Sequence, residues 1–314
     1  MVRFILARLL TTLPVLLIVT FVVFSLTLLI PGDPAVTIAG PDATVEQIEA
    51  IRERLGLNQP VIVQYVNWLL NALQGDLGSS LFTSRSVVKS ITASLPVTLA
   101  LTLSAMLVSL IIAVPLAIAS ALRQGTWIER LAGFGSSLGV ALPSFWLGMM
   151  LVLVFSISLA WLPATGYVPF FEDPGLWAIH LILPSITLGA AAAAESTRQL
   201  RGSIIDVMKQ DYIRTARAKG LRGRVILGKH VMKNAAVPLV TVLGVQVTFM
   251  LGGAVLVEQV FGIPGMGMVA VNAVVQRDIP VIQGIVLVAV VVALVINLVV
   301  DLVYGYLNPK VRPR

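Results

Sequence analysis

The sequence predicts an all-α integral membrane protein with about six transmembrane helices, both termini on the cytoplasmic side. Three observations carry that prediction. Of 314 residues, 57% are hydrophobic and 12% charged, with a mean hydropathy of +0.95. A soluble domain carries roughly 25% charged residues, so this chain lacks the charge to cover a water-facing globule. Six stretches reach or approach the ~20 apolar residues that cross a hydrocarbon core: Leu9–Ile30, Leu95–Leu122, Leu131–Trp161, Ala178–Ala194, Val237–Val257 and Val281–Val303. The basic residues, finally, gather in alternate loops.

The first span follows Arg3 and Arg8. Its apolar run exceeds the roughly 7–15 residues of a cleavable signal peptide, so it reads as a retained anchor. The next segment, Pro31–Ser94, carries helix signals on the extracytoplasmic side. Thr44 with Gln47 forms a capping-box pattern, and Val45, Ile48, Ile51 and Leu55 recur at helical spacing. Gly56 stops that helix. Pro60 opens another, with Val66, Leu69, Leu70 and Leu73 on one face, ending at Gly75. Tyr65 and Trp68 suit the headgroup level.

The third span is over-long and holds Pro143, which predicts a bend; Pro14, Pro115 and Pro184 predict further kinks. Gly135 and Gly139 form a G-x-x-x-G, and Gly189–Ala194 is a glycine–alanine run; both predict close helix packing within the bundle. The domain organisation is therefore 1–30 (cytoplasmic N-terminus and first span), 31–94 (extracytoplasmic helical segment) and 95–314. The last is a five-helix membrane domain with a cytoplasmic loop at 195–236.

Orientation follows from the basic residues. With the N-terminus inside, inner segments hold Arg3, Arg8, Arg123, Arg130, Lys310, Arg312, Arg314 and ten Lys or Arg between Glu195 and Ala236. Outer segments hold only Arg52, Arg54, Arg85, Lys89 and Arg277.

Composition excludes several chemistries. There is no cysteine, and His180 and His230 lie fifty positions apart, so no metal site is expected. No ionisable residue falls at a span centre, which argues against proton-coupled carriers. Glu195, Glu258 and Asp301 fall at predicted span ends, within reach of water. Gln246, Asn297, Ser104 and Thr248 are predicted to make interhelical hydrogen bonds. Gly223-Arg-Val-Ile-Leu-Gly228-Lys229 matches a phosphate-loop spacing, but His230 replaces the magnesium-binding hydroxyl and no strand precedes it. Gly265-Met-Gly267 lacks the surrounding βαβ unit of a dinucleotide site. No acid, base and nucleophile converge, so no enzyme is expected. The basic loop is what membrane topology and lipid headgroups produce, without nucleic acid.

That loop nevertheless has a pattern. Asp211-Tyr-Ile-Arg-Thr-Ala-Arg-Ala-Lys-Gly220 reads as a short helix with an aspartate cap and a glycine stop. About ten residues do not hold a helix alone in water, so it must dock, on its own bundle or in a partner's groove. Ala216 and Ala218 keep part of its surface small.

Tyr212–Gly220, followed by His230, Asn234, Ala235 and Pro238, closely resembles the EAA loop of permease subunits of ABC importers. Arg214 and Thr215 replace the generic glutamate and first alanine, and Pro238 lies further from Gly220 than in the generic pattern. These departures resemble the dipeptide/oligopeptide/nickel branch. So do Ile30-Pro-Gly-Asp-Pro-Ala35, Gln74-Gly-Asp-Leu-Gly-Ser79, Phe261-Gly-Ile-Pro-Gly-Met-Gly267, Arg277-Asp-Ile-Pro280, and Asn297, Asp301 and Tyr304. Asn308 stands where the branch more often has aspartate.

The resemblance implies a bacterial inner-membrane permease subunit that forms half of a path for di- or oligopeptides. It implies coupling to an ATPase through Asp211, Tyr212, Arg214, Thr215, Ala216, Ala218, Gly220 and Leu221. Its implied partners are a second homologous permease, two ATPase subunits carrying ATP and Mg, and an extracytoplasmic substrate-binding protein, besides membrane lipid. No cofactor is expected on this chain itself. Gln246, Asn272, Gln276 and Asn297 are the candidate path residues, and Phe261, Gly262, Pro264 and Gly265 are candidates to face the binding protein. The competing reading is a self-sufficient channel or carrier whose basic loop only binds lipid.

Overall fold

The computed structural model describes residues 2–27, 33–40, 42–54 and 56–307. They are nearly all helical; the one β feature among them is an isolated antiparallel bridge between Ser79 and Ser86. Among the described residues, four helices are long and apolar enough to cross a membrane, or five when one bent pair counts as a span. The described apolar part of the first helix, Leu13–Thr27, is shorter. Chain contacts divide the protein into two compact units. One comprises Val2–Val97 with Pro264–Leu294; the other comprises Thr98–Ile263 with the described chain from Val295 onward.

The first unit begins with α1 (Val2–Thr27), which runs through Pro14 without a break. Residues 28–32 lie outside the described chain, and with them Ile30-Pro-Gly of the first motif. α2 (Pro34–Ala39) is capped by Asp33, whose carboxylate accepts from Ala35 N–H at 2.9 Å. α3 (Val45–Arg54) opens on the expected capping box: Gln47 N–H donates to Thr44 Oγ1 (3.3 Å) and Thr44 N–H to Gln47 Oε1 (3.0 Å). Arg52 of α3 pairs with Asp33, joining these two short helices.

α4 (Val61–Leu73) ends before Gly75, which adopts the left-handed conformation. Tyr65 is buried against α1, where its hydroxyl lies 2.9 Å from Thr20 Oγ1 and donates to the Leu17 carbonyl, with Phe21 and Phe24 edge-on to its ring. A phenol in an apolar contact needs such a partner for its hydroxyl, and α1 supplies two. The rest of the unit is the start of α5 (Val87–Leu122), α12 (Met266–Gln276) and the start of α13 (Ile279–Leu307). Leu77, Val87, Ile91, Met266, Ala273, Val281 and Ile285 form its core. A Cβ on Gly284 would lie 2.5 Å from Val87 Cγ1, so only glycine allows that approach.

In the second unit, the over-long span is broken. α6 (Trp127–Ala141) and the helix from α7 (Ser144–Leu151) through a π-helical stretch, Val152–Ser158, meet at 107°. Pro143 lacks the N–H needed to continue α6 and forces Leu142 out of helical geometry (ψ 127°). By contrast, α5 is continuous through Pro115, and α8 (Pro174–Met208) through Pro184. The α8 helix also runs fourteen residues beyond Ala194, so the start of the expected inner loop is helix. Leu181, Leu188, Leu200 and Ile204 are buried along this extended helix, packing that continues past the end of the apolar run.

The short elements α9 (Asp211–Ala218) and α10 (Gly223–Val225) and a π turn (Ile226–Val231) lead into α11 (Met232–Phe261). Small residues set helix spacing here. A Cβ on Gly189 would stand 2.6 Å from the Ala105 carbonyl oxygen, and one on Gly139 3.0 Å from Ala194 Cβ. Gly135 meets nothing within 4 Å, so only half of the G-x-x-x-G packs within this unit.

Two polar expectations change. Glu258 is fully buried rather than water-facing, and it accepts from the Thr98 hydroxyl at 2.6 Å. The last turns of α11 pack inside the unit, which exchanges water for a fixed donor. Ser104 and Thr248 bond back to their own helices, at the Ala100 and Gly244 carbonyls, and not across to a neighbour. Glu195 is half-exposed, within reach of water as expected, and pairs with Arg198 in the body of α8. The side chains of Arg3, Arg8, Asp301 and Tyr304, and residues from Asn308 onward including Lys310, Arg312 and Arg314, lie outside the described residues.

Candidate functional site

The candidate site is built on α9. Gln210, in extended conformation, precedes the helix, and Asp211 is its first residue and not its cap. The cap assignment therefore moves by one position, while the aspartate still complements the positive end of the helix. The glycine stop is as expected. Gly220 has φ +73°, its N–H donates to the Arg217 carbonyl (2.9 Å), and the next N–H, of Leu221, reaches back to Ala216 (3.2 Å). This paired arrangement satisfies carbonyls that the helix end leaves open.

One face of α9 is anchored. Ile213 (0% exposed) and Ala216 (7%) lie in a cluster with Ala117, Ala121, Leu200, Ile204, Ile226, Val231, Ala235 and Leu239. Burying one isoleucine side chain is worth about 1.5–3 kcal/mol, the kind of support an eight-residue helix requires. Asn234 of α11 adds a tether, donating to the Tyr212 hydroxyl (3.0 Å) and to the His230 carbonyl (2.9 Å). Upstream, Arg201 of α8 pairs with Glu129 in the first turn of α6, and Glu129 also accepts from Gly125 N–H.

The opposite face is open. Asp211, Tyr212, Arg214, Thr215, Ala218, Gly220 and Leu221 are exposed, as are Arg217, Lys219, Arg222 and Arg224. Arg214 and Asp211 approach at 3.4 Å, but both are largely solvated, so the pair holds little energy. Ala216 points into the bundle and belongs to the anchor. Ile213, absent from the expected contact set, is the main anchor; its signal was a large β-branched apolar residue in an otherwise polar and small-residue helix. The result is an anchored helix that presents a mostly basic surface outward.

The remaining candidates are scattered. Gln246 is buried and committed: its Oε1 accepts from Ser196 Oγ (3.1 Å) and its Nε2 donates to the Ala192 carbonyl (3.2 Å), linking α11 to α8. Asn297 is exposed in the same unit, and Asn272 and Gln276 are exposed in the other. Phe261 is buried, its ring lining the space beside Gly148 and its carbonyl accepting from Gly166 N–H at 2.9 Å. Gly262, left-handed at φ +61°, ends α11, and exposed Pro264 and buried Gly265 lead into α12. Gly262 and Pro264 are the accessible pair of that turn. Among the described residues, no group of three or more His, Asp or Glu side chains is placed to hold a metal.

Comparison with known proteins agrees with this architecture. Residues 113–313 match the family described as binding-protein-dependent transport system inner membrane component, and residues 1–102 match its N-terminal companion. The chain is 42% identical over 312 residues to the glutathione transport system permease protein GsiC of Escherichia coli O6:H1, covering 99% of both. It is 40% identical over 309 residues to the probable peptide ABC transporter permease protein y4tP of Sinorhizobium fredii, covering 98% of this chain and 99% of the relative. Among solved structures, an inward-facing MetNI methionine ABC transporter chain aligns with a TM-score of 0.57 at 16% identity, over 69% of this chain and 96% of that one. That likeness concerns the fold.

Proposed function

We propose, from the premise that this chain belongs to the family of binding-protein-dependent transport system inner membrane components, that α9 is the lever through which a separate ATPase moves it. The chain is a multi-pass inner-membrane permease subunit of an ATP-driven importer, in the peptide branch. The reading of α9 rests on a single observation: an eight-residue helix anchored by Ile213 and Ala216 and turning a basic face outward. A cleft of the ATPase lined with acidic groups is the complementary surface. ATP hydrolysis takes place on that partner.

Six spans follow from the apolar stretches, with α1 as the first and the α6–α7 pair as one broken span, and the distribution of basic residues puts both termini inside. Closure of an ATPase dimer around ATP would push the outer face of α9. Because Ile213, Ala216 and the Tyr212–Asn234 bond join α9 to α8 and α11, the push reaches those spans. Differential affinity of ATP for the closed arrangement supplies the free energy. A second homologous permease completes the path, and a binding protein delivers the substrate from outside. Exposed Asn272, Gln276 and Asn297 are available to line that path; Gln246 braces α8 against α11. Gly262 and Pro264 are the part of their turn open to a docking protein. Glutathione-like compounds and short peptides are the substrate class, as the names of the relatives suggest.

Gly220→Trp places bulk at the left-handed stop on the outward side. Purified complexes carrying it should lose substrate-stimulated ATPase activity and transport; wild-type activity in both would refute the lever. Purification in mild detergent should bring down ATPase and a second permease chain. Recovery of this chain alone would favour a self-sufficient channel. Uptake of labelled glutathione, dipeptides, longer peptides and nickel in a deletion strain assigns the substrate.

A further inference from the structure

The unit formed by Val2–Val97 and Pro264–Leu294 contains a cavity of about 450 Å³ between the α3–α4 segment, the Asp76–Leu81 loop and the start of α13. That volume falls in the range of small-molecule sites. No Lys, Arg or His lines it, whereas Glu53 and Asp76 do. No other described residue pairs with the Glu53 carboxylate. Asp76 uses one oxygen to accept from Gly78 N–H (2.8 Å) and keeps the other.

The lining amides add to the same polarity. Gln64 donates its Nε2 to the Leu57 and Gln59 carbonyls (3.1 and 2.8 Å), and Asn67 donates its Nδ2 to Gln59 Oε1 (3.2 Å). Gln283, only 7% exposed, donates its Nε2 to Thr27 Oγ1 (2.9 Å). The Thr27 hydroxyl proton is itself given to the Phe24 carbonyl (2.7 Å), so Thr27 must accept and the Gln283 amide cannot be reversed. Gln64 gives both its N–H donors to the protein, Asn67 and Gln283 give one each, and all three carbonyl oxygens are without a partner among the described residues. For Gln283 that oxygen belongs to a buried side chain lining the cavity. Phe24 and Trp68, with ring centroids 5.8 Å apart, supply the apolar wall.

A cavity with two carboxylates, spare carbonyl oxygens and aromatic faces is complementary to a cation that donates several hydrogen bonds. We infer that this cavity is a binding site for the primary ammonium group of a small organic solute, held by Glu53 and Asp76 with Gln283. The amino terminus of the imported peptide is the source of that group if the peptide reading under Proposed function holds; the site itself does not depend on it. The site would then capture substrate on the outer side, apart from the transmembrane path.

Calorimetry on the full-length protein in nanodiscs, at pH 7, tests this with three probes: dialanine, N-acetyl-dialanine and n-butylamine. Wild type should bind dialanine and n-butylamine, and bind the acetylated peptide at least tenfold more weakly. Glu53→Gln and Asp76→Asn, both isosteric and at exposed positions, should each weaken the amine-bearing probes about tenfold or more. Detectable and equal binding of the acetylated and free peptides would overturn the inference. So would binding of n-butylamine that is absent in wild type or unchanged in both variants. Binding of n-butylamine lost in the variants, with none of dialanine, upholds the ammonium site and assigns its ligand to simple amines, leaving peptide import to be judged by the uptake assays.

Discussion

The Ser80 hydroxyl donates to the Asp278 carboxylate at 2.5 Å, across 198 positions of sequence. Leu81 N–H donates to the other oxygen of the same carboxylate at 3.2 Å, and Asp278 is 3% exposed. A buried carboxylate requires such donors, because leaving it unpaired costs several kcal/mol. The two motifs that flank it, ending at Ser79 and beginning at Arg277, are therefore two halves of one joint.

Asp278→Ala removes a charge-assisted acceptor for Ser80 and Leu81. It should destabilise the protein by about 2–3 kcal/mol, read as a lower melting temperature in detergent. Ser80→Ala should cost less, and the double mutant should fall short of the sum of the singles. Strict additivity would show that the bond carries no coupling energy.

Ile213→Ala should cost about 2–5 kcal/mol of local stability through the cavity it leaves. Hydrogen exchange should quicken in α9 and leave α5 and α8 protected. Arg214→Ala, by contrast, removes an exposed side chain and should leave exchange unchanged while weakening association with the ATPase. If both variants behave alike, the division of α9 into an anchored and an offered face is wrong.

Gly189→Val should block folding, since even its Cβ would stand 2.6 Å from the Ala105 carbonyl oxygen, and backbone does not yield as a side-chain tip does. Gly135→Val meets open space in this chain. It should leave the isolated subunit folded and perturb only the assembled complex. Yield and monodispersity of the isolated subunit, then of the complex, separate the two cases.

The Arg52 side-chain hydrogen bond, aided by Ala35 N–H, holds the Asp33 carboxyl below its usual pKa. A carboxylate with a depressed folded pKa contributes stability above its unfolded pKa and loses it as pH falls through the folded value. The α2–α3 contact should therefore loosen only under acid below the ordinary carboxylate range. Arg52→Met should raise the Asp33 pKa and move that loosening to higher pH. An NMR titration of Asp33 that is identical in both proteins would remove Arg52 as the cause.

The helices of the membrane part were legible because they depend on local properties. A run of apolar residues is enough to make Val87–Leu122 or Ile279–Val300 a span. The capping box at Thr44–Gln47 and the glycine stop at Gly220 satisfy donors and acceptors within a few residues, so spacing alone specifies them. The pattern Asp211–Gly220 could be read as a helix that must dock for the same reason: its length cannot support it.

What it docks on, and by which face, was decided by tertiary packing. Ile213 and Ala216 turn inward because α5, α8 and α11 build an apolar socket there. Tyr65 is buried because Thr20 and Leu17 of α1 satisfy its hydroxyl, and Glu258 is buried because Thr98 faces it. For Tyr65 and Glu258 the partner lies 45 or more positions away. Apolar runs and local caps thus mark where the chain can enter lipid and several of its helix ends, such as those at Thr44 and Gly220. Which polar groups are enclosed is a matter of packing, since burial of a polar group depends on a partner that no local pattern names.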